Sequence, residues 1–524
     1  MNTAFFLLTA YRRSVCFSVL AFFAFLTPTL ALAAFEISTE AELGDFATAV
    51  NGGNDFSGKT VKLTADIELA SDWTPIGSED NLFKGTFDGQ GYTISELNVS
   101  YSENAGLFGV VGNGTVIKDV NVSAKKIEVL SDEFTDYAFA GVLVGYAAGS
   151  LAIISCHASG EVIFPGTSIK EFVYLGGLVG SVFGKLTVEN SSFTGEVSAS
   201  KLSGSSTYSK HSYQGGLIGG AYGAAIIKNS YANGNISANT NSGKFYLGGL
   251  VGRAVDNLTI EKSYSGVNIL SGYSGSMGGL VGQTYGETAA IKNSYSSGKI
   301  RGSSSGTFVG GLVGSEETDY GITIENSYVS GNVSCGSCNV DYASGALGTL
   351  IGLIFYAELK AQSVYYNASY LSGASKAVGT LNSLYVSIVN PSYGREENYD
   401  DGEHGIFGLS EDELKMQTSF NGWDFGNIWG IDEDESYPYL RKFTPAPIRS
   451  LPQLANQISV QTTGNAIMLG NLPGNAKIEM YNLQGKRIYS ANSGNSQSLK
   501  ILVQAKGVYV VKVNGKTFKV MLGR

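Results

Sequence analysis

Short apolar runs separated by glycine, asparagine and serine recur along most of the chain. The most regular element is Gly-Leu-x-Gly, whose closing glycines between Gly109 and Gly352 lie 30 to 39 residues apart. Full copies begin at Gly106, Gly177, Gly216, Gly249, Gly279 and Gly311, and degenerate copies end at Gly145 and Gly352. A period of this size predicts stacked repeats, as in a solenoid, a propeller or an array.

A second element follows each Gly-Leu-x-Gly copy. In four copies it contains a β-branched residue, a charged residue and an Asn-Ser step, at residues 188–191, 227–231, 291–295 and 324–328. A repeat thus holds about three short strands with Gly, Asn and Ser corners and no helical period. This pattern predicts an all-β chain built on a right-handed parallel β-helix, because a propeller blade needs four antiparallel strands and about 40 residues.

The charged residue of the second element alternates in sign from repeat to repeat. The column reads Glu189, Lys228, Glu261, Lys292 and Glu325. Neighbouring coils of a β-helix lie about 4.8 Å apart, so opposite charges would face each other along one outer face. We therefore expect these five residues to form one outward column, whose exposed ion pairs mainly penalise mispaired coils.

The two ends of the chain differ from the repeats. Residues 1–33 combine Arg12 and Arg13, an apolar run and a small-residue stretch, which is typical of a secretory signal peptide. Thr39 and Glu42 form a predicted capping box of an N-terminal plug helix, and Ser410 to Glu413 repeats that pattern. Three prolines between residues 445 and 452 mark a linker.

Charge separates the last part of the chain from the rest. The whole chain is acidic, with a net charge of −10, whereas residues 443–524 hold ten Lys or Arg and one acid, Glu479. Seven apolar runs recur there about every ten residues, which predicts a small C-terminal β-sandwich. The predicted division is 1–33 signal peptide, 34–100 N-terminal cap and first coils, 101–355 repeats, 356–442 last coils and cap, 443–455 linker and 456–524 sandwich.

These motifs resemble two known families. The Gly-Leu-x-Gly copies with their Asn-Ser-Tyr element resemble the GLUG repeat of bacterial surface proteins, among them adhesin-like chains; residues 73–94 look like its lead-in and 422–440 like its close. Residues 477–486, 507–513 and 519–522 are similar to the C-terminal sorting domain of type IX secretion substrates. The resemblance implies a β-helix scaffold, passage across the outer membrane and contact with the secretion machinery there.

An enzyme is the alternative, because β-helices also carry polysaccharide lyases and glycoside hydrolases. Such sites need paired carboxylates in one groove, yet residues 198–255 contain no Asp or Glu, so a catalytic site could lie only toward an end. His157, in the tyrosine column, and His211, in a Ser/Tyr loop, suit structural roles better. The acidic runs 400–403 and 432–435 lack EF-hand spacing, which makes calcium a weak option.

Two further sets of residues are candidates for a site. Tyr231, Tyr264, Tyr295 and Tyr328 share one repeat position and could stack on sugar rings if exposed. A straight strand would point them into the core, which we favour, whereas a corner at the preceding Asn would turn them out. Cys335 and Cys338 are either a local disulfide or two idle thiols, since a zinc site would need a second pair.

The sequence as a whole favours an exported, non-enzymatic, adhesin-like protein. We expect it to be secreted or held on the outer face of the outer membrane, with no catalytic residues, no metal site and no cofactor. The expected partners are an extracellular glycan or surface ligand and the secretion machinery, and no nucleic acid. The alternative hypothesis is a β-helix polysaccharide lyase or glycoside hydrolase.

Overall fold

The structure is a computed structural model. It describes residues 35–130, 136–166, 172–200, 211–239, 243–318, 320–338, 346–354, 359–370, 378–381, 388–389, 405–441, 459–463, 466–470, 472, 474–482, 486–494, 498–503, 507–514 and 516–522. The predicted signal peptide and linker and the acidic run 400–403 lie outside the described residues. In the described part, no helix is long and apolar enough to cross a membrane.

The repeats form a parallel β-helix, as predicted, but each complete coil has four strands and not three. The chain passes through sheets 1, 2, 3 and 4 in turn and then returns to sheet 1 one coil further on. The extra strand arises because the Gly-Leu step is itself a corner that splits one predicted strand into two, such as Phe172–Gly176 and Val179–Val182. The core of aliphatic side chains runs along the inside of the coils.

Sheets 1 and 2 lie on either side of the Asn-Ser corner. The strands of sheet 1 are Phe35–Ile37, Thr60–Leu63, Thr86–Asp88, Thr115–Lys118, Leu151–Ile154, Leu186–Glu189, Ala225–Lys228, Leu258–Glu261, Ala289–Lys292, Ile322–Glu325, Leu359–Gln362 and Ile388–Val389. Those of sheet 2 are Ile67–Glu68, Thr93–Tyr101, Asn121–Val129, His157–Phe164, Ser192–Ser200, Tyr231–Asn239, Tyr264–Ser271, Tyr295–Ser296, Ile300–Gly302, Tyr328–Val329, Val333–Cys335, Val364–Asn367 and Ile406–Leu409.

Sheets 3 and 4 lie on either side of the Gly-Leu corner. The strands of sheet 3 are Asn104–Ala105, Tyr137–Gly141, Phe172–Gly176, His211–Gly215, Lys244–Gly248, Gly275–Gly278, Thr307–Gly310 and Ala346–Gly348. Those of sheet 4 are Phe108–Val111, Val144–Ala147, Val179–Val182, Ile218–Ala221, Val251–Val255, Val281–Gly286, Val313–Thr318, Ile351–Ile354 and Val378–Leu381.

The corner between sheets 1 and 2 explains the Asn-Ser step. The first corner residue adopts a left-handed backbone conformation, with φ of 46° at Asn229 and 49° at Asn293, which asparagine tolerates better than most residues. The next residue is a fully buried serine. In Ser230, for example, the hydroxyl donates to Lys228 O at 2.7 Å and accepts from Ser191 N–H at 3.1 Å. The serine column therefore satisfies backbone groups that the corner would leave unpaired.

The corner between sheets 3 and 4 explains the glycines of Gly-Leu-x-Gly. A Cβ atom on Gly249 would lie 2.0 Å from Gly279 O of the next coil, and one on Gly216 would lie 2.2 Å from Gly249 O. The coils approach each other too closely there for any side chain. The following leucine, Leu250, is fully buried in the core.

The predicted charge column is confirmed. Strand register pairs Glu189 with Lys228, Lys228 with Glu261, Glu261 with Lys292 and Lys292 with Glu325, all on the outside of sheet 1. Two of the contacts are close ion pairs: Lys228 to Glu261 at 3.1 Å and Lys292 to Glu325 at 3.0 Å.

Both predicted capping boxes are present. The helix Glu40–Asn51 begins at Thr39, whose hydroxyl accepts from Glu42 N–H, and its Phe46 ring packs edge-on against Phe83 of the first coils. At the other end, Ser410 and Glu413 exchange the same pair of hydrogen bonds before the 3₁₀ turns Glu413–Lys415 and Gln417–Ser419. The short strands Trp429–Gly430 and Tyr439–Leu440 pair antiparallel.

The C-terminal region forms two antiparallel sheets that share one apolar core. One sheet contains Ser459–Thr463, Ala466–Gly470 and Ser498–Leu502. The other contains Lys477–Asn482, Arg487–Asn492, Gly507–Val513 and Lys516–Leu522. The core is lined by residues of both sheets, among them Leu469 and Val511. These seven strands make the small β-sandwich that the apolar spacing predicts.

Candidate functional site

The four predicted tyrosines form a continuous ladder on sheet 2. Strand register places Tyr231, Tyr264, Tyr295 and Tyr328 in adjacent coils. The ring centroids of successive tyrosines are 4.9 Å apart, and the first two pairs are within 4° of parallel. Each ring therefore covers the face of the next, and within the ladder only ring edges and hydroxyls point away from the column.

The ladder points outward, so the inward packing that we favoured from strand parity is wrong. In the strand that begins at Tyr231, the buried residue is the following one, Ala232. The reason is the left-handed corner at the preceding asparagine, which resets the alternation of side chains before sheet 2 begins.

The C-terminal segment 405–441, called the cover segment below, lies over the far end of this ladder. Trp429 is fully buried, with its ring 6.1 Å from Tyr295 and 6.0 Å from Tyr328. The Tyr328 hydroxyl donates to Pro438 O at 2.6 Å. Burial raises the pKa of both tyrosines. The cover segment therefore sterically disfavours a ligand at Tyr328 and Tyr295. Of the four predicted ligand-binding residues, the half-buried Tyr231 and Tyr264 remain as candidates.

The other end of the ladder opens into a polar trough of about 280 Å³. In the coil before Tyr231, the same column holds the small residue Ser192, and both residues line the trough. Ser192 Oγ shares a hydrogen bond of 2.8 Å with His157 Nδ1. The His157 Nε2 atom has no hydrogen-bond partner among the described residues. The trough thus combines one aromatic face with hydroxyl, amide and imidazole groups.

A second aromatic ladder, which we did not predict, lies on the outside of sheet 3. Register aligns Phe139, Tyr174, Tyr213 and Tyr246. Their successive ring centroids are 5.1, 4.7 and 5.1 Å apart and nearly parallel. The sequence did carry a signal, because each of these rings stands two positions before the glycine that ends its strand of sheet 3, namely Gly141, Gly176, Gly215 and Gly248.

The N-terminal end of the second ladder also opens into a cavity, of about 420 Å³. We call it the acidic cleft, and it is lined by Glu79, Glu103, Asn104, Asp136, Tyr137, Phe139, Tyr146 and Phe183. Asn104 occupies the ladder position next to Phe139, just as Ser192 does next to Tyr231. Burial, and then the negative charge of Glu79, raise the pKa of Tyr146.

The C-terminal end of the second ladder holds a cation of the chain itself. The Arg253 guanidinium lies 5.6 Å from the ring centroid of Tyr213, 5.8 Å from Tyr246 and 5.0 Å from Tyr285. One of its nitrogens donates to the Tyr213 hydroxyl at 3.2 Å. Sheets 3 and 4 thus provide aromatic surroundings that accept a positive charge.

The remaining candidate residues have structural surroundings. His157 lies in the tyrosine column as expected, but His211 belongs to a strand of sheet 3, stacked on Phe172 at 5.5 Å, and not to a loop. Cys335 and Cys338 are joined by a disulfide with their Cα atoms 5.6 Å apart. Cys156 is a buried thiol in the serine column, and burial raises its pKa to about 12.

The structure offers no metal centre in its described part. No group of three or more His, Cys, Asp or Glu side chains there is arranged to hold a metal ion. In the acidic run 432–435, the Glu433 carboxylate accepts from Gln417 N–H, and the Asp432 carboxylate accepts from the Tyr439 hydroxyl. These carboxylates therefore take part in hydrogen bonds within the cover segment.

Comparison with known proteins identifies both parts of the chain. Residues 211–237 and 273–301 match the family model of the GLUG motif, and residues 455–521 match that of the secretion system C-terminal sorting domain. The chain carries GLUG repeats and a sorting tail. The sorting tail indicates a secreted or cell-surface protein that interacts with the type IX secretion machinery, and the GLUG repeats coincide with β-helix coils.

Whole-protein relatives are distant. Over 154 residues, the chain is 26% identical to a protein of Evansella cellulosilytica provisionally described as a Gly-rich membrane protein. The match covers 29% of this chain and 14% of that relative. A solved structure from Bacteroides ovatus, provisionally described as an immunoglobulin A1 protease, has 17% identity and a TM-score of 0.41, with 78% of this chain and 92% of that chain covered.

Proposed function

We propose that the protein is a non-enzymatic, adhesin-like scaffold on the outer face of the outer membrane, or released from it, that binds an extracellular glycan. The observation that carries this proposal is the trough beside Tyr231, where an aromatic ring and polar groups line the same cavity. A sugar ring has an apolar C–H face and a rim of hydroxyls, and this combination matches such a lining.

Three features support binding at this end of the ladder. Tyr231 is backed by the parallel ring of Tyr264, which fixes its orientation before a ligand arrives. Ser123, Ser159 and Thr194 bring hydroxyl groups to the lining of the same trough. The sorting tail brings the β-helix to a compartment in which glycans are exposed.

A glycan array tests this proposal. We expect the purified exported protein to bind selected neutral glycans, and Tyr231→Ala to weaken that binding about tenfold, the order expected for loss of one aromatic platform. Tyr320→Ala is the matched control, because Tyr320 is 68% exposed and lies outside the trough. Unchanged binding by Tyr231→Ala, or an array without any binding, would contradict the proposal.

The enzyme alternative keeps one specific observation in its favour, since the acidic cleft gathers three carboxylates in one groove near the N-terminal end. However, glycoside hydrolysis needs a carboxylic acid kept protonated, usually by burial, and Glu79 and Asp136 are exposed. We therefore expect no release of reducing ends from plant or bacterial polysaccharides. Release that Asp136→Asn abolishes and Glu161→Gln preserves would establish the enzyme instead.

A further inference from the structure

The trough beside Tyr231 is long in one direction. Strand register places one line of its residues in a single column of sheet 2, in the order Thr93, Asn121, His157, Ser192 and Tyr231. These residues belong to five successive coils, so the column makes four steps of about 4.8 Å, or roughly 19 Å in all. The trough therefore runs parallel to the β-helix axis and across the strands.

A second column, of hydroxyl groups, lies beside the first. Register aligns Ser123, Ser159 and Thr194, which line the trough and are exposed or half-buried. A hydroxyl both donates and accepts hydrogen bonds, as do the hydroxyls on the rim of a sugar. The coil spacing of about 4.8 Å is close to the advance per residue of an extended chain of pyranose rings. Successive coils can therefore offer hydroxyls to successive sugar residues.

Charge favours a neutral ligand. No Asp, Glu, Lys or Arg is among the described residues that line the trough. Glu161 and Glu196 are exposed, pair in register with each other, and lie two residues beyond Ser159 and Thr194. That spacing is roughly 7 Å, which is within the range of a charge in physiological salt. An acidic sugar in the trough would meet their repulsion and gain no cation from the lining.

The backbone of the trough suits a glycan better than a peptide. Extended peptides commonly bind by adding a strand to a sheet edge. The strands under the trough are paired on both sides, as His157–Phe164 is with Asn121–Val129 and with Ser192–Ser200. A ligand in the trough therefore crosses these strands and contacts side chains.

We propose that the trough takes a linear, neutral oligosaccharide of about four sugar residues, which lies parallel to the β-helix axis and ends against Tyr231. This inference rests on the glycan-binding function proposed above and names the class of glycan. The sugar hydroxyls would exchange hydrogen bonds with Ser123, Ser159 and Thr194. A monosaccharide would contact only part of this length.

Calorimetry with oligomers of increasing length tests the inference on the unaltered exported protein. The probes are β-1,4-linked glucose and β-1,4-linked mannose, each from the monosaccharide to the hexasaccharide. We expect the affinity for at least one series to rise about tenfold or more up to the tetrasaccharide and then to level off. The reason is that each added residue gains contacts, whereas the loss of translational and rotational freedom occurs once. An affinity independent of length, or no binding of either series, would overturn the inference.

Two further outcomes are distinguishable. Binding of single or branched neutral sugars that depends on Tyr231 but not on chain length would leave the proposed glycan function intact and refute the linear chain. An array without any binding would contradict both. The neutral peptide acetyl-tetraserine amide is the probe for the other class of ligand, and affinity equal to that of the tetrasaccharide would assign the trough to peptides.

Ser123→Tyr locates the far part of the site. Ser123 is exposed and lies three coils before Tyr231, so a ring there should fill the trough at a distance from the tyrosine. The variant should bind the tetrasaccharide no more tightly than the disaccharide, and its affinity for the disaccharide should stay unchanged, which also reports its folding. Ser305→Tyr, at an exposed serine outside the trough, should bind both probes normally. Unchanged tetrasaccharide binding by Ser123→Tyr would refute the extended site.

The charge of the ligand is tested with the acidic counterpart of each tetrasaccharide, in which C6 is oxidised to a carboxylate. We expect the neutral form to bind about tenfold more tightly. The double variant Glu161→Gln and Glu196→Gln should narrow that difference several-fold. Glu287→Gln removes an exposed carboxylate outside the trough and should leave the difference unchanged. Equal or tighter binding of the acidic form by the unaltered protein would refute the neutral class.

Discussion

The two aromatic ladders have nearly the same ring geometry but differ in what lies at their ends. On sheet 2, the ladder that begins at Tyr231 continues beneath the cover segment, where Trp429 and Pro438 contact its far rungs. On sheet 3, the ladder that begins at Phe139 ends at Arg253, and among the described residues no ring of the cover segment packs on it.

The comparison shows that an aromatic column on a β-helix is a structural element along most of its length. Parallel rings about 5 Å apart cover each other's faces, and each pair adds roughly 0.5–1.5 kcal/mol beyond the area it buries. Only the ring at the end of a ladder has a face that no other ring of that ladder covers. Binding properties are therefore set by the neighbouring coil, where Ser192 opens a neutral trough and Asn104 opens an acidic cleft.

Of the changes that test this comparison, removal of the Trp429 ring from the cover segment should have the largest effect on stability. We expect Trp429→Ala to lower the free energy of unfolding by about 3–5 kcal/mol, the range for deleting a buried aromatic side chain. Trp429 is fully buried and stacks on Trp423 at 4.3 Å. Urea unfolding followed by far-ultraviolet circular dichroism measures the change.

Phe183→Ala is the matched control, because Phe183 is 45% exposed at the acidic cleft. This substitution should change the free energy of unfolding by less than about 1 kcal/mol. Similar losses of unfolding free energy in Trp429→Ala and Phe183→Ala would mean that the cover segment does not make the two ladders differ in stability.

Much of the fold could be predicted because the same short motifs recur in successive repeats. The Gly-Leu step recurs in all six full copies and the Asn-Ser step follows four of them, so the period, the parallel stacking and the Glu189 to Glu325 column follow from spacing alone. The seven strands and the charge of the tail are equally local signals. These features need no knowledge of contacts between distant segments.

The features that were missed depend on backbone conformation at the corners. The left-handed conformation at Asn229 turns Tyr231 outward, and strand parity cannot report it. The Gly-Leu corner splits one predicted strand into two, and strand parity cannot report this corner either. The acidic cleft was missed because Glu79, Glu103 and Asp136 belong to three successive coils and to neither repeated motif, and only stacking brings them together.

A fall in pH should affect the stability of the two ladders differently, because a different histidine packs in each. Burial, then the positive charges of Arg253 and Lys244, lower the pKa of His211 from 6.5 to about 4. Between pH 6.5 and 4, His211 is protonated in the unfolded chain and neutral in the folded chain. The contribution of neutral His211 to the free energy of unfolding is therefore full above pH 6.5 and is lost as the pH falls toward 4. With allowance for partial exposure, the loss is about 1–2 kcal/mol.

Unfolding free energies at pH 7.5 and 4.5 test this difference. The unaltered protein should lose about 1–2 kcal/mol more than His211→Gln over that interval. His157→Gln should change the pH dependence less, because burial alone lowers the pKa of His157. An equal or larger effect of His157→Gln would reverse this ranking of the ladders.

The smallest expected change in stability comes from adding a rung to the first ladder. Ser192→Tyr places a ring in the column directly before Tyr231, where strand register sets the new ring beside that of Tyr231. The new aromatic pair contributes about 0.5–1.5 kcal/mol, and loss of the hydrogen bond between Ser192 and His157 costs about the same. The free energy of unfolding should therefore change by less than about 1 kcal/mol.

Glycan binding should nevertheless be lost, because the added ring occupies the trough. Ser192→Ala, which removes the hydroxyl but leaves the trough open, should retain most binding. Normal glycan binding by a folded Ser192→Tyr protein would show that the Tyr231 ring is not the platform, and the two ladders would then differ only in what covers them.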